Sequence, residues 1–259
     1  MRLSVGELAF ALRVRRSEQA AIDLIRGCLG LPGHEDASRV IAASGRSLFA
    51  RGLVSHGPAN DCRLAPVLES LTRGLAEARR TILCSRPAGD AMTILAIHFG
   101  PDGLVLHRIL DGLVSDLTVL AGPEDAADFA ADFYGAPEKA AGNLTPIRLR
   151  RGTVLEILGS RQRTLITERL SRVRIPAEIR PALIDDLLEP RLRGSVVRMD
   201  QGKDGTSTTE RRLSLLGGGL RLWLLRPVIT GPGPLVEFSL ASKVVLRDAI
   251  LQVVREAAS

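Results

Sequence analysis

Apolar residues recur along this chain at two spacings that predict different secondary structures. Where they fall three to four positions apart, as at Val5, Leu8, Ala9 and Leu12, the pattern is that of an amphipathic helix. Where they alternate with polar residues, the pattern is that of a half-buried strand. Helical stretches are predicted within 5–75, 123–135, 154–192 and 242–257, and extended stretches within 79–122 and 195–241.

Two stretches predict similar β-hairpins. The first is MTILAIHFGPDGLVLHRI, residues 92–109, whose GPDG turn places Phe99 opposite Leu104 and His98 opposite Val105. The second is RRLSLLGGGLRLWLLR, residues 211–226, with the three glycines as its turn. The hairpins lie roughly 115 to 118 residues apart, which is far longer than a solenoid repeat. We therefore interpret the chain as two diverged copies of one unit.

The order of predicted elements defines the fold class. We expect an α+β protein with two pseudo-symmetric halves, each made of helices followed by a mostly antiparallel sheet and a closing helix. The connector APEKAAGNLTPIRL, residues 136–149, divides an N-terminal α+β half, 1–135, from a C-terminal α+β half, 136–259. Related sheets can bury each other's apolar faces or continue edge to edge, so we expect the halves to pack as one compact unit.

Composition narrows the possible partners. The chain has 259 residues, a formal net charge of +6 and a pI of about 10.0, but only 3% aromatic residues with which to stack on bases. Its arginines are scattered, and the densest clusters, near residues 13–16 and 148–151, are typical of solvated faces. The opening MRLSVGELAFALRVRR has no secretory apolar core, and no apolar run approaches the roughly 20 residues of a membrane span. With three widely spaced cysteines, this predicts a cytoplasmic location.

Histidines and carboxylates were the first candidates for chemistry. The first hairpin places His98 and His107 on one face as diagonal neighbours, but no residue in these strands supplies a third metal ligand. Asp185 and Asp186 are adjacent in a predicted helix, so their side chains diverge. The acidic face of PEDAADFAAD, residues 123–132, could bind a cation or a basic partner, but it also suits a helix N terminus. We therefore expect no metal site.

Sequence signatures of catalysis are also missing. The chain has no G-x-S-x-G or H-E-x-x-H motif, no phosphate-cradling glycine loop with its lysine, and no G-x-G-x-x-G motif. We therefore expect a protein that is not an enzyme and that needs no cofactor.

A DNA-binding regulator is the alternative hypothesis. The phrase SLFARGLVSHG, residues 47–57, resembles the helix-to-wing transition of winged-helix domains. Arg39, Arg46 and Ser47 are the side chains that could reach base edges from the preceding helix. The stretch where a wing hairpin should follow instead predicts a helix, APVLESLTRGLAEA, which makes nucleic acid a poorer candidate partner.

The overall layout resembles one family. The phrase SLFARGLVSHGPANDCRLAPVLESLTRGL, the two hairpins, the C-terminal helix and the two-half organisation are similar to the EspG family associated with ESX (type VII) secretion. The resemblance implies a cytosolic, non-enzymatic chaperone or adaptor that binds a helical-hairpin protein substrate. It also implies a binding surface formed by the sheet and by helices near the C-terminal half.

Three residues of the second hairpin are the candidate partner-binding residues. Strand alternation places Arg221, Trp223 and Leu225 on one face, with Leu222 and Leu224 on the other. An exposed Trp beside Arg would be a suitable interface anchor. The other interpretation is that Trp223 is a core residue.

Overall fold

A computed structural model gives the fold of most of the chain. It describes residues 1–15, 17–29, 34–57, 61–89, 91–140, 145–173, 175–202, 206–218, 221–228 and 233–258. The helices within these ranges are α1 Val5–Val14, α2 Glu18–Leu29, α3 His34–Ala50, α4 Pro66–Ala76, α5 Pro123–Tyr134, α6 Arg151–Gly159, α7 Arg163–Ser171, α8 Arg180–Leu188 and α9 Lys243–Ala258. The strands are β1 Arg2–Ser4, β2 Val54–His56, β3 Cys62–Leu64, β4 Arg80–Ala88, β5 Ala91–Gly100, β6 Gly103–Leu110, β7 Val114–Leu120, β8 Ile147–Arg150, β9 Leu192–Gln201, β10 Ser207–Gly218, β11 Arg221–Val228 and β12 Leu235–Leu240.

Helix ends follow local side-chain chemistry. Ser4 caps α1, because its Oγ accepts from the Glu7 backbone N–H while the Glu7 carboxylate accepts from the Ser4 N–H. Gly135 ends α5 in the left-handed conformation, at φ 64°. Part of the stretch predicted to be helical, 154–171, forms two helices, since α6 ends at Gly159 and α7 begins at Arg163. Ser160 is extended there, and its hydroxyl accepts from a backbone N–H two residues on, which competes with helix continuation.

The main sheet confirms the α+β class. Ten strands of the described chain form one antiparallel sheet, in the order β1-β7-β6-β5-β4-β9-β10-β11-β12-β8. At each end of this order, the first strand of a half lies next to the last strand of the same half: β1 next to β7, and β8 next to β12. In the middle, β4 pairs with β9. The two related sheets therefore continue edge to edge. The division into units 1–135 and 136–259 stays a prediction.

The two ends of the sheet are built alike. Edge strand β1 leads directly into α1, and edge strand β8 leads directly into α6. In the first case the Val5 N–H donates to the Leu113 carbonyl at 2.9 Å, and in the second the Arg151 N–H donates to the Pro234 carbonyl at 2.9 Å. Leu113 and Pro234 each directly precede the strand that pairs with the edge strand. The same strand-to-helix corner thus occurs in both halves.

Helices cover the two faces of the sheet differently. Helices α5 and α9 lie side by side on one face, over a core that includes Ile82 of β4 and Leu224 of β11. On the other face, α1–α4 pack over a core that includes Leu117 of β7, and α6–α8 pack over a core that includes Trp223 of β11. Two helices therefore pack on one face of the sheet, and two separate helical groups pack on the other.

The predicted acidic face of α5 binds the neighbouring helix. Asp128 forms an ion pair with Arg247 at 2.6 Å, and Asp132 forms one with Lys243 at 2.6 Å, both on α9. Asp125 accepts a hydrogen bond from the Ala121 N–H, just before the helix starts. The basic partner of this face thus lies within the chain itself.

Both predicted hairpins form, and their register follows the sequence. Phe99 pairs with Leu104 and His98 with Val105, as expected. In the second hairpin Gly217 and Gly218 belong to β10, and the rest of the predicted turn, residues 219–220, lies outside the described residues. An unpredicted strand, β8, begins at Ile147 near the end of the connector and continues to Arg150; its four residues are too few for a periodic signal.

Candidate functional site

Among the residues that the structure describes, no helix packs over one strip of the central sheet on one of its faces. Helix α4 packs on β5 and β6 from one side, and α8 packs on β10 from the other, while β4 and β9 lie between them. Since Ile82 and Cys84 of β4 point toward α5 and α9, Leu83 between them points to the opposite face. We define this surface as the open strip, formed by Ile94, Ala96, His98, Thr81, Leu83, Ser85, Ser195, Val197, Met199, Thr209 and Arg211.

The floor of the open strip is mainly apolar. Val197 lies directly opposite Leu83, and Met199 lies opposite Thr81, with Ile94 on the neighbouring strand. Leu83, Val197, Met199 and Ile94 are all partly exposed, in contrast to the fully buried Ile82 on the other face. Apolar side chains that keep accessible surface in the free protein gain free energy when a partner covers them.

Polar groups on the strip largely satisfy one another. The hydroxyl oxygens of Ser85 and Ser195 lie 2.9 Å apart across β4 and β9. The Thr81 hydroxyl lies 3.1 Å from Nδ1 of His98. Because these groups already have partners, covering them with an apolar surface costs less than burying unpaired groups would.

The width of the strip suits a helix. Strands β5 and β10, on which α4 and α8 pack, lie three strand spacings apart, which is on the order of 15 Å. A helix with its side chains is about 10–12 Å wide. The strip can therefore accept one helix of a helical hairpin, packed on β4 and β9 between α4 and α8.

Two histidines form the N-terminal border of the strip. The rings of His98 and His107 stack with their centroids 5.8 Å apart, and Nε2 of His107 lies 3.0 Å from the Ser115 hydroxyl. This confirms the predicted diagonal arrangement. Burial lowers the pKa of His98 to about 3, with a further contribution from His107, and burial lowers the pKa of His107 to about 4. Both rings are therefore neutral at neutral pH.

Asp186 fixes the C-terminal border of the strip. Its carboxylate accepts from Nε and Nη2 of Arg221 at 2.7 and 3.1 Å, and from Nε1 of Trp223 at 2.8 Å. These bonds tie α8 to β11, and the hydrogen bond to Asp186 raises the pKa of Arg221. Asp185 points away and pairs with Arg163, so the two adjacent carboxylates diverge as predicted.

The predicted partner-binding residues lie beneath this border. Trp223 is 0% exposed and Leu225 is buried, and both lie in the core below α6–α8. This agrees with the interpretation of Trp223 as a core residue. Arg221 keeps a side-chain exposure of 30%. The predicted alternation is confirmed, since Leu222 and Leu224 face the opposite core. Sequence alternation separated the two faces of β11 but gave no signal of which helices cover them.

Cations line the strip on the side of β9 and β10. Arg211 pairs in register with Val197, and Arg193 lies on the same face of β9. Both side chains are exposed, and neither forms an ion pair with any residue that the structure describes. The strip therefore combines an apolar floor with positive charge along one side.

The described ranges contain no arrangement of side chains typical of an active site. There, no cluster of three or more His, Cys, Asp or Glu side chains has the arrangement of a metal site. Cys84 is buried, which raises the pKa of its thiol to about 12 and leaves it a poor nucleophile. One surface cleft, of about 800 Å³, is lined by residues such as Glu77, Phe99 and Gln201, and the described residues that line it form no catalytic constellation.

The N-terminal helices differ from the predicted DNA-reading arrangement. Ser47 donates a hydrogen bond to the buried carboxylate of Glu7 at 2.7 Å, so it faces α1, and Arg39 pairs with Glu35. The predicted helix forms as α4, Pro66–Ala76, but a short hairpin, β2–β3, lies between it and α3, so the helix follows a hairpin and does not replace one. The strands have three residues each and Gly57 between them, which is too short for a periodic signal.

Comparisons with known proteins give a match at the level of structure. No family model matches the chain, and no curated protein matches it. The solved structure of the Mycobacterium tuberculosis type VII secretion system chaperone EspG5, in complex with a PE25–PPE41 dimer, is similar with a TM-score of 0.64. The match covers 84% of this chain and 85% of that chain at 14% identity.

This chain has an EspG-like fold. The resemblance inferred from the two hairpins is thereby confirmed for the architecture. In the part of the chain that the structure describes, no helix is long and apolar enough to span a membrane.

Proposed function

We propose that this protein is a cytosolic, non-enzymatic chaperone or adaptor that binds a helical-hairpin protein substrate of a type VII-like secretion system. The observation that carries the proposal is the open strip, which leaves a mainly apolar surface wide enough for a helix between α4 and α8. The EspG-like fold supports it, because EspG5 is described as a secretion chaperone in complex with a PE25–PPE41 dimer.

The strip has the physical properties that such a role requires. Helical hairpins awaiting secretion expose apolar residues that would otherwise aggregate. Leu83, Val197 and Met199 offer an apolar floor, and Arg193 and Arg211 offer a charged side that favours one orientation of the substrate. The neutral histidines at the opposite border add no charge.

In this proposal the predicted partner-binding residues mainly support the border of the strip: Arg221, Trp223 and Leu225. Trp223 and Leu225 shape the core under α8, and Trp223 and Arg221 hold Asp186 in place. Arg221 is the member of the three with enough exposure to touch a substrate directly.

Capture of binding proteins from native lysate tests the proposal. The bait is the full chain, with and without nuclease, compared with a Val197→Asp variant in the centre of the strip. We expect the wild type to retain a helical-hairpin protein regardless of nuclease, and the variant to lose most of it, because a carboxylate in an apolar interface must be desolvated. The captured protein is then purified and its affinity measured with both baits.

A matched control is available outside the strip. Val119 is an apolar β7 residue with 55% exposure, so Val119→Asp should fold and bind like the wild type. Met199→Glu provides a second strip variant, and circular dichroism verifies that each variant is folded. Equal capture by the strip variants, or retention that nuclease and moderate salt abolish, would overturn the proposal; the second result would favour the DNA-binding hypothesis.

A further inference from the structure

Strand β8 ends the sheet on the C-terminal side. It pairs with β12 through Ile147–Arg150, and no other strand of the described chain pairs with its outer side. Half of the backbone N–H and C=O groups of an edge strand point away from its neighbour and can pair with an added strand. This edge lies beyond α6–α8 and is separate from the open strip.

The surroundings of this edge carry excess positive charge. Arg148 and Arg226 share one carboxylate, that of Glu237, and Arg172 pairs with Glu168. Arg150 and Arg151 are exposed and have no ion-pair partner among the residues described. Five arginines therefore face two carboxylates here: Arg148, Arg150, Arg151, Arg172 and Arg226 against Glu168 and Glu237.

A groove runs beside the start of β8. It has a volume of about 630 Å³ and is lined by Thr145, Pro146, Ile147, Arg148, Arg172 and Val173. The groove gives an extended segment room beside the edge, between the strand and the end of α7. Arg148 and Arg172, with side-chain exposures of 60% and 65%, are both accessible from it.

We propose that the outer edge of β8 binds an extended acidic segment of another protein, which adds to the sheet as a further strand. Along β8 the side chains alternate, with Ile147 and Leu149 buried and Arg148 and Arg150 exposed. A paired strand follows the same alternation. The bound segment therefore carries Asp or Glu at every second position and small apolar residues between them.

Charge argues against a second copy of this chain as the occupant. Two β8 edges paired with each other would bring Arg148 and Arg150 of one copy next to the same residues of the other, and facing like charges destabilise a strand pair. The opposite edge of the sheet is a weaker candidate, since β1 has three residues and Arg2 lies 3.9 Å from the Asp116 carboxylate.

A capped synthetic hexapeptide, Val-Glu repeated three times, is the probe for this edge. Binding is followed by the amide chemical shifts of 147–150 in the full-length, isotope-labelled protein. We expect shifts confined to this edge and to its neighbours on β12, with affinity that falls as salt is raised. The matched Val-Lys peptide should not bind, and a Val-Glu peptide methylated on alternate backbone nitrogens should bind at least about tenfold more weakly, because it cannot complete the ladder.

Charge reversal at an arginine of the protein is the second test of peptide binding. Arg150→Glu should weaken peptide binding by about tenfold or more, whereas Arg46→Glu, an exposed arginine on α3, should leave it unchanged. The strip variant Val197→Asp should also leave it unchanged, so failure here is distinguishable from failure of the proposed function. Binding that survives both Arg150→Glu and backbone methylation would overturn the proposal. So would absence of peptide binding together with self-association of Arg150→Glu, which would mean that the arginines only protect the edge.

Discussion

Each half of the molecule contains a buried carboxylate in a helix, but the two carboxylates hold different things together. Glu7 of α1 accepts from Ser47 of α3 and from Arg51, which directly follows α3, so it joins one helix to the end of another. Asp186 of α8 accepts from Arg221 and Trp223 of β11, so it joins a helix to the sheet. The N-terminal anchor organises a helical group, whereas the C-terminal anchor fixes the border of the open strip.

The chemistry of the two anchors also differs. Burial would raise the pKa of Glu7, but hydrogen bonds from the Ser4 backbone, Ser47 and Arg51 outweigh it and lower the pKa. Arg51 remains 42% exposed, whereas the partners of Asp186 are a fully buried indole and an arginine with 30% exposure. Loss of the carboxylate should therefore harm the C-terminal anchor more.

Removal of each anchor tests this difference and has the largest expected effect. Asp186→Ala should lower the free energy of unfolding by about 3–5 kcal/mol, since it leaves a buried indole N–H and a guanidinium without an acceptor. Glu7→Ala should cost about 2–3 kcal/mol, because the more exposed Arg51 can be rehydrated. Denaturant unfolding followed by circular dichroism measures both.

Asp185→Ala is the matched control for Asp186. Its carboxylate is 56% exposed and pairs with an exposed Arg163, so its loss should change stability by less than about 0.5 kcal/mol. Equal losses for Asp185→Ala and Asp186→Ala would contradict the anchor role of Asp186.

Mild acid should lower the stability of the N-terminal half more than that of the C-terminal half, and this is the second-largest expected effect. All four histidines of the sequence precede residue 135, and both His98 and His107 have a pKa below that of an unfolded chain. Below pH 6.5 the unfolded chain binds protons that the folded protein excludes, so stability falls as the pH falls toward 4. Between pH 6.5 and 5.5 the loss should be about 2 kcal/mol for the two rings together.

The check is a stability series over this pH range for the wild type and for a variant with His98→Gln and His107→Gln. The variant should have a flatter profile. Fluorescence of Trp223, the single tryptophan, reports on the C-terminal core, so a lag of this signal behind circular dichroism in acid would show that the N-terminal half loosens first. A wild-type profile that is flat above pH 5.5 would count against neutral, buried histidines.

A smaller contrast lies at the two outer corners of the sheet. In one, Asp116 of β7 lies between Arg2 of β1 and Arg108 of β6; in the other, Glu237 of β12 lies between Arg148 of β8 and Arg226 of β11. The same arginine–acid–arginine row thus occurs at equivalent places. This repetition supports the internal duplication inferred from the hairpins.

The two rows should contribute differently to the free energy of unfolding, because their carboxylates differ in exposure. The side chain of Asp116 is 18% exposed and that of Glu237 is 9% exposed. Arg226→Ala should cost about 1–2 kcal/mol, since it weakens the support of a nearly buried carboxylate. Arg108→Ala should cost about 0.5 kcal/mol, as for an exposed ion pair. Thermal unfolding of the two variants in parallel measures the difference, and a larger loss for Arg108→Ala would reverse the ranking.

Sequence pattern predicted the long elements and their register, but not the coverage of the sheet. The hairpin at 92–109 was fixed by alternation and by its turn, which is why the His98–His107 arrangement could be predicted. Strands of three or four residues, such as β2 and β8, give too short a period to be detected. The burial of Trp223 depends on α6–α8 and on Asp186, which are distant in sequence, so alternation alone could not decide it.

The central pairing of β4 with β9 has a consequence for synthesis on the ribosome. Ser85 pairs with Ser195, so the edge of β4 waits for a partner that is translated much later. At elongation rates of about 5–20 residues per second, that interval is on the order of 5–20 s. Until β9 has been synthesised, the nascent N-terminal half has an unpaired strand edge. Pairing with β9 then closes this edge and completes the floor on which a substrate would rest.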